Sequence, residues 1–121
     1  MAFFDFLKPR KKLTPKQLQW NQMWTMWSRG EADSPYGELM TYVGEVNNGG
    51  HAQYFTNTVF LKADMEVLDT ALPPVLRDNL RRALDAFRND GSEEILAHCD
   101  RVFGENEHLI AEILKTYADT L

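Results

Sequence analysis

The sequence predicts an all-α, single-domain bundle of about five or six helices ending in a long amphipathic helix. Three observations carry that expectation. Apolar residues recur at steps of three and four along most of the chain, the period of a helix with one buried face. Helix-starting and helix-ending residues punctuate those stretches. The 121 residues, 44% of them apolar, suit one core.

The first helix is expected from Thr14-Pro15-Lys16-Gln17. Thr caps, Pro fits the first helical position, and Gln three residues on can bond back to the cap. Trp20, Met23, Trp24 and Trp27 follow on one face, read as core or dimer-seam packing rather than a stacking platform. Ser28-Arg29-Gly30 stops it. Ser34-Pro35 repeats the start signal, and Tyr36, Leu39, Met40, Val43 and Val46 stripe the second helix. That stripe runs into Asn47-Asn48-Gly49-Gly50, residues that tolerate left-handed backbone, so a sharp reversal is expected there. A short helix at Ala52–Thr56 follows. A third long one is expected from about Thr58 to Leu72, striped by Phe60, Ala63, Val67, Leu68 and Ala71.

Pro73-Pro74 ends that helix and opens a fourth, lined by Leu76, Leu80, Ala83, Leu84 and Phe87. Its arginines 77, 81, 82 and 88 alternate with Asp78 and Asp85, a mixed solvated face rather than a phosphate site. After a turn at residues 89–92, with Asp90 or Ser92 as cap, one helix of about 28 residues is expected. Ile95, Cys99, Val102, Asn106, Leu109 and Ile113 form its seam, and Leu96, Phe103, Ile110 and Tyr117 recur every seven residues beside it. Asn106 either fixes register against a partner helix or marks a bend that reaches water.

The polar corner is the most informative stretch. Glu45, Asn47, Asn48, Gln53 and Asn57 read as a structural knot, with backbone N–H groups of the corner and the next helix's first turn, and Gln53 from the other side, supplying a partly buried Glu45. On that reading Asn48→Ala or Gly49→Val lowers the melting temperature by several degrees. The competing reading makes Glu45, His51 and Gln53 an active site of a small hydrolase or isomerase. No Ser or Cys nucleophile and no second carboxylate lies nearby in the sequence.

Glu45-x-Asn47-Asn48-Gly49-Gly50-x-x-Gln53-Tyr54-Phe55-x-Asn57 resembles the signature of a bacterial family of all-helical domains of unknown function, usually described after a DNA-mimic member. His51 stands where an aromatic is common, and Thr58-Val59-Phe60 replaces a small, Gly-containing turn. The resemblance implies a helical, non-enzymatic interaction domain and carries over no catalytic residue.

Charge is uneven. Residues 1–30 carry a net +5 and the remainder -10, out of -5 overall. An acidic body repels nucleic acid, so no direct nucleic-acid binding is expected, and it favours a basic protein partner. The acids of the last helix repeat by sevens in two rows, Glu93, Asp100, Glu107 and Glu105, Glu112, Asp119. Seven residues rise about 10.5 Å, longer than the spacing of neighbouring phosphates, so one helix cannot imitate a nucleic-acid backbone alone. Mimicry needs Asp64, Glu66 and Asp69 to converge with them.

Residues 1–13 read as a basic, aromatic tail before a domain at 14–121. Phe3, Phe4 and Phe6 with the cations up to Lys12 suggest membrane-surface contact or docking on the core or a second copy. A homodimer sealed by Trp24, Trp27 and the last helix is the structural alternative. The lone Cys99 excludes an internal disulfide and suits a reducing cytoplasm, the expected location. His98, Cys99 and His108 lack metal-ligand spacing, so neither metal nor cofactor is expected.

Overall fold

A computed structural model describes residues 12–89 and 92–121. Five helices form among the described residues: α1 (Pro15–Ser28), α2 (Tyr36–Asn57), α3 (Leu61–Ala71), α4 (Pro74–Asn89) and α5 (Glu93–Ala118). With no strand among them, the chain is a small all-α domain. The aromatic and basic residues 3–11, and Asp90 as a cap, lie outside the described residues.

Helix ends follow side-chain chemistry where the sequence supplies it. Thr14 and Gln17 form the reciprocal capping box, with Gln17 N–H donating to Thr14 Oγ1 at 3.2 Å and Thr14 N–H to Gln17 Oε1 at 2.9 Å. Gly30, at φ +71°, lets the chain leave α1. Ser92 caps α5 by accepting from Ile95 N–H. Ser34 departs from expectation. Pro35, after a cis peptide bond, occupies the cap position of α2 with no side-chain cap bond. The Ser34 hydroxyl donates instead to Glu38 Oε1 at 3.2 Å.

The expected reversal at Asn47–Gly50 is a kink inside α2. Only Gly49 (φ -153°) and Gly50 (φ 77°) leave helical geometry, and Asn47 and Asn48 stay within the helix. The third helix begins three residues later than its stripe suggested. Thr58 closes α2, its N–H bonded to the Tyr54 carbonyl, and Phe60 becomes the residue before α3. Phe60 is therefore 74% exposed and not in the core.

α5 is the axis of the bundle. It packs against α4, α2 and α1, while α2 also meets α3 and α4. Leu96, Cys99, Phe103, Ile110, Leu114 and Tyr117 are its buried face. The expected seam is thus rotated: Ile95 is exposed, and Val102, Asn106, Leu109 and Ile113 are only half-buried. Asn106 bonds back to the Val102 carbonyl one turn earlier, so its amide is satisfied within the helix. Leu39, Met40 and Val46 of α2, Leu68 of α3, and Leu76, Leu80 and Ala83 of α4 complete the core. Each fully buried Leu contributes about 1.5–3 kcal/mol. Asn79, buried on α4, donates to the Cys99 carbonyl at 2.8 Å and ties α4 to α5. The half-buried tryptophans of α1 pack edge to face, centroids 6.3 Å apart for Trp20–Trp24 and 5.5 Å for Trp24–Trp27.

Candidate functional site

The kink is stabilised from two sides. On its outer side Glu45 Oε2 accepts from Gln53 Nε2 at 2.7 Å and from Asn57 Nδ2 at 3.1 Å. The carboxylate of the helix before the break is thereby tied to two amides of the helix after it. Gly49 is required there for space, because a Cβ would stand 2.0 Å from Gln53 Oε1 and 2.9 Å from its Cβ. Of the five polar residues, Glu45, Gln53 and Asn57 are joined to one another, through the expected Gln53 amide and through Asn57 rather than through backbone N–H groups. Asn47 reaches elsewhere, to Glu107 Oε1 of α5 at 2.6 Å. Asn48 is exposed, and among the described residues its side chain makes no hydrogen bond. Tyr54 and Phe55, the apolar part of the motif, are buried in the core.

On the inner side the kink turns His51 into the core, where it has no exposure at all. Its Nδ1 lies 2.6 Å from Asp100 Oδ1 and its Nε2 2.6 Å from the Tyr42 hydroxyl. The His51 backbone N–H, freed by the break in the helix, also donates to Asp100 Oδ1 at 2.9 Å. Phe55 and Phe103 pack around the ring. Burial lowers the His51 pKa from its ordinary value, and the Asp100 hydrogen bond and charge only partly oppose this. The ring is neutral, donating through Nδ1 to the carboxylate and accepting the Tyr42 proton at Nε2. Burial, and then the neighbouring Tyr54, Cys99 and Asp100, hold the Tyr42 phenol well above its usual range, so it remains the donor.

A Tyr–His–Asp chain has the connectivity of a proton relay, but every polar atom of this histidine is committed to an internal partner. The ring itself has no exposed atom, and the chain meets solvent only at its Asp100 end, where the carboxylate side chain is 37% exposed. Glu45 bonds to Gln53 and Asn57 and not to His51. Glu45 therefore does not orient the His51 ring, which Asp100 holds instead. Cys99 is likewise a core residue, its thiol pKa raised by burial.

The acids divide by task. Asp100 and Glu107, two of the three acids in one row on α5, point at the kink and bond to His51 and Asn47. Asp69 pairs with Arg81 of α4, and Asp119 lies 3.9 Å from Lys16. Glu66, Glu93, Glu105 and Glu112 are exposed, with no side-chain partner among the described residues. Asp64, on the first turn of α3, faces Glu38 and Tyr54 of α2. Sequence reasoning missed Asp100 as the anchor of the kink. Its position between Leu96 and Phe103, at steps of four and three, placed it at the edge of the buried stripe.

A family model described as DMP19-like protein matches residues 37–120, from the start of α2 to just past the end of α5. Neither the curated proteins nor the solved structures yield a match.

Proposed function

We propose, because the chain belongs to the DMP19-like protein family, that it is a non-enzymatic interaction domain whose partner is a basic or DNA-binding protein. The single observation that carries this reading is the -10 surplus on residues 31–121, with Glu66, Glu93, Glu105 and Glu112 exposed. Such a surface steers a basic partner and repels nucleic acid. The DNA-mimic description attached to the family resemblance agrees with that chemistry. The mimicry is partial, because Asp100, Glu107 and Asp69 are spent on internal bonds and the arginines of α4 break up the negative field.

The buried histidine supports a role without catalysis, since its ring has no exposure to solvent and both ring nitrogens bond within the protein. A location in the cytoplasm fits a partner that binds DNA. The experiment is retention of basic proteins on the immobilised full chain, read against salt. Retention is expected to fall steeply between about 0.05 M and about 0.3 M NaCl, where screening shortens from roughly 14 Å to below 6 Å. A Glu105→Gln/Glu112→Gln variant is expected to retain less. Retention that ignores salt and both substitutions would show an apolar interface instead.

A further inference from the structure

A cavity of about 340 Å³ opens between the end of α1, the first half of α2 and the start of α3. Trp27, Ser34, Glu38, Thr41, Tyr54 and Asp64 are among its walls. Two of its polar atoms are buried without a hydrogen-bond partner: Glu38 Oε2 and the Tyr54 hydroxyl. Tyr54 is 1% exposed, so its unmet hydroxyl is a feature of the interior and not of a wet surface. Buried polar groups are nearly always satisfied, and each exception asks for an explanation.

The cavity is also built to stay in shape. The Ser34 hydroxyl fixes Glu38 through Oε1, leaving Oε2 open. The Trp27 indole N–H donates to Thr41 Oγ1 at 3.0 Å, which sets the plane of the aromatic wall. Asp64 faces the same space, and its carboxyl pKa is raised by burial and then by the charge of Glu38. Two like charges are thus held near each other, and among the described residues no lysine or arginine pairs with either. What is lacking is a multivalent donor with positive charge and a flat face.

We propose that this cavity receives the guanidinium group of an arginine side chain presented by the partner protein. A guanidinium brings five N–H donors and no acceptor, matching two carboxylates and a phenol oxygen, and it stacks on an indole. A metal ion fits less well. Among the described residues no three carboxylate, imidazole or thiol groups gather to hold one, and an aromatic wall offers it nothing. The assignment rests on the reading of the chain as a binder of basic proteins and names the chemistry one such contact would use.

The test uses the full chain labelled with 15N and titrated with Nα-acetyl-arginine N-methylamide, following the Trp27 indole N–H, assigned by Trp27→Phe. The citrulline analogue, a neutral isostere, and the lysine analogue run in parallel. The arginine amide is expected to produce a saturable shift, the citrulline amide none, and the lysine amide a weaker one. Glu38→Gln and Asp64→Asn are expected to abolish the shift. Tyr54→Phe keeps the buried ring and removes the phenol oxygen alone, and it should raise the Kd about tenfold. An equal response to citrulline, lysine binding as tight as arginine, or indifference to the carboxamide variants would overturn the proposal. Its failure would be separable from that of the interaction reading: Glu105→Gln/Glu112→Gln alters retention of basic proteins and leaves the Trp27 titration unchanged.

Discussion

Replacing Gly50 with alanine strikes the kink at its least forgiving point. Gly50 sits at φ 77° and ψ -178°, a region essentially reserved to glycine, where an L-residue costs about 1–3 kcal/mol. A Cβ there would stand 2.5 Å from Asp100 Oδ2 and 3.1 Å from its Cγ. That carboxylate has little room to yield, because it accepts both the ring and the backbone N–H of His51. Losing one such charge-assisted bond costs about 1.5–3 kcal/mol. The two effects together come to about 3–5 kcal/mol. For a domain of this size, that corresponds to a fall of roughly 10–20 °C in Tm. Thermal unfolding followed by circular dichroism reads it directly. Gly104→Ala is the control: Gly104 lies within α5 with open space where a Cβ would go, so alanine should stabilise by about 0.5–1 kcal/mol. A Gly50→Ala protein melting within about 2 °C of the parent would refute the claim that the kink is conformationally fixed.

Other expectations are as specific. Glu45→Ala removes the acceptor shared by Gln53 and Asn57 and should cost about 1–2 kcal/mol in urea unfolding. Asn48→Ala, at an exposed side chain, should stay within about 0.5 kcal/mol, against the several degrees that the sequence alone suggested; the reverse order would contradict the knot as drawn. Asp64→Asn should raise Tm at pH 7. An acid whose folded pKa is raised has its stabilising contribution in full below its ordinary 3.8, and loses it as pH rises through the folded value. Ionised Asp64 therefore carries a cost that asparagine removes, and a lower Tm would count against the cavity as described. His51 has the opposite sign. Its folded pKa lies below the ordinary 6.5, so its contribution is complete above pH 6.5 and drains away as pH falls towards the folded value.

Much of the fold was legible because local chemistry decides it. The Thr14 box, the Pro73-Pro74 break and the Ser92 cap act within one turn of helix, where spacing and residue type suffice. The buried face of α5 was harder. Two neighbouring stripes, one through Ile95 and Val102 and one through Leu96 and Phe103, are both apolar, and only the placement of α2 and α4 selects the second. Phe60 was misplaced for a related reason, since a helical stripe cannot say at which residue the first turn closes. At the motif, the residues that bend the chain were evident and the residues that hold the bend were divided. Gln53 and Asn57 lie within twelve residues of Glu45, a reach that sequence reasoning can span. Asp100 lies 49 residues from His51, and its place in a seven-residue row of acids gave it the look of a solvated border. A row of carboxylates on a helix edge carries no mark of which edge another helix will cover. The cavity beside Trp27 was invisible for the same reason, being assembled from three helices and the link between two of them.

Whether His51 is an enclosed structural member or a reactive group is measured by NMR of its labelled imidazole. The expected result is a neutral ring carrying its proton on Nδ1, slow to exchange with solvent, that titrates only below its ordinary 6.5. A ring that titrates at or above 6.5, with protons exchanging freely with water, would place an accessible acid–base group at the kink and contradict it.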